Sequence, residues 1–76
     1  MLRGTVKFYN AGEGWGAVKS PDLPGEGEAF VHYSMIEGEG TRFRFLEPGQ
    51  SVEFDYEALD YLQDGFPMRV TTLRKL

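Results

Sequence analysis

The chain has 76 residues, no cysteine, and 12 acidic against 8 basic residues, which gives a net charge of −4. The length predicts one domain over residues 1–76. The lack of cysteine excludes disulfides and thiolate metal sites, and it fits a reducing, cytoplasmic setting. We expect no secretory signal peptide after Met1. The apolar runs are shorter than the ~20 residues that cross a membrane. The excess of acidic residues argues against tight binding of a polyphosphate through a strongly basic surface.

Five segments with β-branched, aromatic or alternating residues predict strands. In chain order they are residues 2–10, 15–19, 29–33, 51–56 and 66–75. A tight turn joins the first two into a hairpin, and Ser34 is predicted to cap a single helical turn after the third. The fourth segment alternates most clearly, with Val52 and Phe54 facing the core. Five strands in so short a chain predict an all-β fold, closed or nearly closed into a barrel, because closure removes exposed edges.

Strand alternation places flat rings on the outer face of the predicted barrel. Val18 is the better core residue of its strand, so Trp15 points outward. The same alternation turns Phe30 and His32 outward in the third strand. With Lys7 at the rim, these rings predict a solvent-exposed stacking platform for the bases of a single strand, at about 1–3 kcal/mol per base. The alternative, that these rings belong to the core of a small β domain, stays open on this pattern alone.

Three stretches resemble the motifs of bacterial cold-shock proteins. Residues 4–18 (GTVKFYN…GWGAV) resemble the family's opening G-x-V-K-W-F-N…K-G-F-G-F-I, residues 29–34 (AFVHYS) resemble V-F-V-H-F-S, and residues 46–54 (LEPGQSVEF) match L-x-x-G-Q-x-V-x-F. The motifs occur in the family's order. The resemblance implies a five-stranded antiparallel OB-fold barrel of a divergent family member. It also implies binding of single-stranded RNA or DNA with low sequence specificity, as an RNA chaperone and without enzymatic activity.

The resemblance places nine residues of this chain at the family's nucleic-acid-binding positions. They are Lys7, Phe8, Asn10, Trp15, Glu28, Phe30, His32, Tyr33 and Phe43. Phe8 and Tyr33 have the wrong alternation for an outer face, so the resemblance requires β-bulges beside them. Phe43 aligns only if its loop carries a two-residue insertion. Glu28 supplies a carboxylate that can accept a hydrogen bond from a base edge.

Two departures from the family pattern predict weaker binding. Ala17 stands where the family has a second platform phenylalanine and leaves a gap worth about 1–3 kcal/mol of stacking. Glu13 replaces the usual lysine and brings negative charge toward the phosphates. Arg42 and Arg44 compensate with phosphate contacts, or else belong to an ordinary solvated loop.

These departures and the acidic balance favour one alternative function, a protein–protein interaction module on the same barrel with weak or lost nucleic-acid binding. His32 is the only histidine, and no serine or carboxylate lies at a catalytic spacing from it, so we expect no catalytic, metal or cofactor site. We expect a monomer, with a strand-exchanged dimer as the alternative. We expect neither a small-molecule substrate nor a membrane as partner.

Overall fold

A computed structural model of the chain describes residues 1–37, 45–63 and 65–76. It contains five strands: β1 Leu2–Asn10, β2 Trp15–Lys19, β3 Glu28–His32, β4 Ser51–Gln63 and β5 Phe66–Lys75. Single 3₁₀ turns lie at Pro24–Glu26 and Tyr33–Met35. In the described part of the chain, no helix has both the length and the apolar character needed to cross a lipid bilayer.

The strands close into a barrel in the order β1-β2-β3-β5-β4, and β4 pairs back onto β1. This order confirms the five-stranded OB-fold barrel. The expectation of a sheet that is antiparallel throughout is wrong at one junction, where β3 and β5 run parallel with Phe30 opposite Arg69. A closed ring with an odd number of strands cannot alternate direction at every junction, so at least one pair must be parallel.

The core lies inside this barrel and follows the predicted alternation. Val52 and Phe54 of β4 have no exposed surface, and neither have Ala29 and Val31 of β3. Loop residues add to the same cluster, including Leu46 just before β4. Burial of these side chains supplies the main stabilising term of the fold.

A β-bulge in β1 separates two kinds of side chain. Val6 lies opposite Val18, but Phe8 lies opposite Ala17, so β1 uses one residue more than β2 over this stretch. The extra residue is Lys7, and the bulge turns both Lys7 and Phe8 away from the core side. The bulge that the resemblance requires in the first strand is therefore confirmed.

The end of β3 differs from the prediction. β3 stops at His32, and Tyr33 begins a 3₁₀ turn, so Tyr33 reaches its position through a change of backbone conformation and not through a bulge. His32 is also the capping residue of this turn, because its ring accepts a hydrogen bond from the backbone N–H of Ser34. The predicted capping role of Ser34 is wrong by two residues for this reason.

Gly16 allows β1 and β2 to approach each other closely. A Cβ atom at this position would lie 2.3 Å from the carbonyl oxygen of Phe8 and 2.8 Å from the Cα of Tyr9. Both atoms belong to the backbone, so neither can move aside without moving β1. The position therefore requires glycine for steric reasons.

We predict that Gly16→Ala lowers the free energy of unfolding by about 1–3 kcal/mol, as overpacking does elsewhere. Gly12→Ala is the matched control, because a Cβ there meets nothing closer than the Asn10 side chain at 3.4 Å. Urea unfolding of both variants measures the difference. Equal stability of the two variants would show that β1 and β2 can separate at no cost.

Candidate nucleic-acid interface

The rings of Phe8 and Phe30 each contact the ring of Trp15 on the outer face of β1, β2 and β3. Trp15 stacks on Phe30 with ring centroids 5.5 Å apart and 25° between the planes. Phe8 meets Trp15 edge-on at 5.5 Å and 81°. Ala17 lies opposite both Phe8 and Phe30 in the strand register, so the three rings share one surface. We call Phe8, Trp15 and Phe30 the aromatic cluster.

The cluster is more closed than the sequence predicts. Phe30 is only 5% exposed, although it is not part of the hydrophobic core cluster. The expectation that its ring faces solvent is therefore wrong: it lies on the outer face, but the indole of Trp15 covers it. The predicted gap at Ala17 is closed as well, since its side chain has no exposed surface beneath these rings.

Glu13 holds the indole in this position. The Nε1–H of Trp15 donates a hydrogen bond to Oε2 of Glu13 at 2.9 Å. The turn that carries Glu13 is itself fixed by Asn10, whose Oδ1 accepts from the Glu13 N–H at 3.1 Å and whose carbonyl accepts from the Gly14 N–H at 2.8 Å. Asn10 thus contributes by shaping the turn, and Glu13 places a negative charge beside the cluster.

His32 extends the surface next to Trp15, its partner in the β2–β3 register. Its Nδ1 lies 3.3 Å from the backbone nitrogen and 2.8 Å from the hydroxyl of Ser34. A backbone N–H can only donate, so Nδ1 accepts and Nε2 carries the hydrogen of the neutral imidazole. The ring of Tyr33 lies 4.5 Å away, tilted by 42°, and Tyr33 is 42% exposed.

Lys7 and Glu28, two of the predicted site residues, form an ion pair at the edge of the surface. Nζ of Lys7 lies 2.6 Å from Oε2 of Glu28, and both side chains are partly exposed. Exposed pairs of this kind contribute about 0–1 kcal/mol. A phosphate that approaches Lys7 can therefore replace the carboxylate at little cost.

A second aromatic group lines a groove beside the β1–β2 turn. Tyr9 meets Phe45 edge-on at 5.7 Å, and Tyr33 and Gly14 line the same groove. Burial raises the pKa of the Tyr9 hydroxyl, with a smaller contribution from Tyr33. Phe45 is 43% exposed. Its ring in a polar loop was the available sequence signal, although it has no place among the predicted site residues.

Arg69 is a second residue that the sequence-based prediction missed. It lies on β5 opposite Phe30 and forms an ion pair with Glu57, with 2.5 Å between Nε and Oε1. The only sequence signal was the basic balance of the last strand. Arg69 lies close to the aromatic cluster because β3 and β5 pair in parallel, and no local sequence pattern predicts this pairing.

The structure brings most of the predicted site residues to one surface. These are Lys7, Phe8, Trp15, Glu28, Phe30, His32 and Tyr33, with Asn10 in the adjoining turn. Phe43, Arg42 and Arg44 lie outside the described residues. Within the described ranges, no three potential metal ligands come together.

Comparison with known proteins assigns the chain to a family. The sequence profile described as the "'Cold-shock' DNA-binding domain" matches residues 2–62. Cold shock-like protein CspLB of Listeria monocytogenes and cold shock protein CspA of Staphylococcus saprophyticus are each 47% identical over 55 residues, which cover 72% of this chain and 76% of theirs. Cold shock protein 1 of Lactiplantibacillus plantarum is 43% identical over 60 residues, 79% of this chain and 83% of its own.

The chain belongs to the cold-shock domain family. The resemblance seen in the three motifs is therefore confirmed. Members of this family bind nucleic acid, so family membership implies nucleic-acid binding for this chain.

We predict that Glu13→Gln tightens binding of a heptathymidylate about two- to fivefold at low salt. The amide oxygen can still accept the hydrogen bond from Trp15, while the negative charge near the phosphates is removed. Asp55→Asn is the matched control, because it removes the same charge from β4, on the wall of the barrel away from β2 and β3. Titrations at two salt concentrations measure both, and the gain should shrink as salt rises. An equal gain in both variants would mean that only net charge matters.

Proposed function

We propose that the chain binds single-stranded RNA or DNA with low sequence specificity, by stacking bases on the aromatic cluster, and that it acts as an RNA chaperone without enzymatic activity. The observation that carries this proposal is the arrangement of three rings on the outer face of β1, β2 and β3. The hydrophobic core of a barrel does not require aromatic rings on the outer face. Every base has a π-face, so such rings accept any sequence.

The stacked state of Trp15 sets the expected affinity. Full access to Phe30 requires the indole to move, which gives up the ring–ring contact and the hydrogen bond to Glu13. Each is worth about 0.5–1.5 kcal/mol. One stacked base returns about 1–3 kcal/mol. The free energy gained by stacking the first base therefore roughly equals the free energy lost when the indole moves. The net binding free energy comes from the bases that follow.

The charges around the cluster predict a modest dependence on salt. Lys7 exchanges the carboxylate of Glu28 for a phosphate, so few counterions are released. The Nε2–H of His32 offers a hydrogen bond to an acceptor on a base edge. Stacking thus supplies most of the affinity, and these polar groups orient the strand.

The same proposal covers the setting of the protein. The chain acts in the cytoplasm as a monomer that folds as one domain over residues 1–76. Its partner is a single strand of nucleic acid, and it uses no cofactor.

The alternative candidate function is a protein–protein interaction module that uses the same rings to bind a protein partner. The acidic balance of the chain is the observation that favours it.

Trp15 is the only tryptophan, so its fluorescence reports on the cluster alone. We predict that heptathymidylate quenches this fluorescence with a midpoint in the low micromolar range or weaker, because bases stack on the indole. A short blunt duplex, whose bases are already stacked, is the control and should quench far less. Absence of quenching at low salt and high oligonucleotide concentration would contradict the proposal and favour the protein-binding alternative.

Phe30→Ala separates a binding ring from a structural one. We predict that it weakens heptathymidylate binding tenfold or more, since it removes a stacking surface. Its cost in stability should be smaller than that of Phe54→Ala, a fully buried core residue for which about 3–5 kcal/mol is expected. Urea unfolding and titration of both variants measure the two effects. Unchanged binding by Phe30→Ala together with a loss of stability equal to that of Phe54→Ala would show that Phe30 supports the fold and does not contribute to binding.

A further inference from the structure

A shallow pocket lies between β3 and β5, next to the aromatic cluster. Its volume is about 140 Å³, and it opens to solvent. Its lining includes Phe30, His32, Ser34, Met35, Gln63 and Arg69. Phe30 belongs to both the pocket and the cluster, so a strand that stacks on the cluster passes directly beside it. We call this space the β3–β5 pocket.

Gln63 gives the pocket an acceptor without a donor. Its Oε1 is buried, and none of the described residues donates a hydrogen bond to it. Folded proteins rarely leave such an atom unpaired. The terminal torsion of a glutamine rotates easily, so Oε1 can turn toward a donor that enters the pocket.

Arg69 gives the pocket a positioned donor. Arg69 lies opposite Phe30 in the strand register, and its Nε contacts Oε1 of Glu57 at 2.5 Å. Among the residues that the structure describes, neither terminal amino group of Arg69 has a partner, so the two form a fork of donors. A guanidinium held in this way recognises two adjacent acceptors better than a single one.

We propose that the β3–β5 pocket selects guanine at one position of the bound strand, an inference that rests on the proposed function. Guanine presents two adjacent acceptors, O6 and N7, which match the fork of Arg69. It also carries donors at N1 and N2, one of which can pair with Oε1 of Gln63. One position of preference is thereby added to a surface that is otherwise tolerant of sequence.

The other bases satisfy the pair of residues less well. Adenine places an amino group, a donor, beside N7, so it suits Gln63 but opposes Arg69. Thymine offers the fork one acceptor at O4. Cytosine is the nearest competitor, because it has an amino group at N4 and acceptors at N3 and O2.

The test compares four DNA heptamers by Trp15 fluorescence: heptathymidylate, and the same sequence with guanine, adenine or cytosine at the centre. We expect the guanine heptamer to bind about tenfold more tightly than the other three. Equal affinities, or a preference for adenine or cytosine, would overturn the inference and leave the proposed function intact. Failure of all four to bind would overturn both.

Two variants assign the preference to the pocket. Arg69→Lys keeps the charge but loses the fork, and Gln63→Leu removes the acceptor, so either should reduce the guanine-to-thymine affinity ratio toward one. Arg74→Lys is the matched control, since Arg74 lies on the same strand in an ion pair with Glu53, away from the pocket. An unchanged ratio in both pocket variants, or an equal loss in the control, would contradict the assignment. Circular dichroism of each variant checks that the fold is kept.

Discussion

The β-bulge at Lys7 determines which side chains of β1 reach the outer face. Val6 packs in the core, Lys7 and Phe8 both turn outward, and Tyr9 returns to pack against the core. Because of this one extra residue, Phe8 stands level with Ala17 and can contact Trp15. A regular strand would instead direct Phe8 into a barrel that is already filled. The bulge therefore adds the ring of Phe8 to the outer face of the barrel.

Ala17 explains why the rings of the aromatic cluster cover one another. The family pattern has a second phenylalanine at this position, and its replacement by a methyl group lets Trp15 and Phe30 stack above it. Glu13 then fixes the indole through its carboxylate. The two departures from the family pattern thus act together: one makes room for the ring–ring contact, and the other stabilises it. We infer a surface whose rings satisfy one another until a strand replaces those contacts.

Much of this structure could be predicted from local sequence, and the parts that could not share a physical reason. Alternation assigned Val52 and Phe54 to the core correctly, because this part of β4 has one face in the core and the other toward solvent. Alternation also named the correct face for Phe30, but it cannot show what covers a residue, and so the exposure of Phe30 was wrong. Arg69 was missed because its place depends on a parallel pairing between strands far apart in sequence. The extension of β4 to Gln63 lies beyond the alternating stretch and gave no strand signal of its own.

The chemical shifts of the aromatic rings show whether a single strand binds to the aromatic cluster. The aromatic NMR resonances of the chain should be followed during titration with heptathymidylate. We predict large shifts for the rings of Phe8, Trp15, Phe30 and His32, and little change for the core ring of Phe54. Shifts confined to the outer face of β4, or no shifts at saturating oligonucleotide, would contradict it.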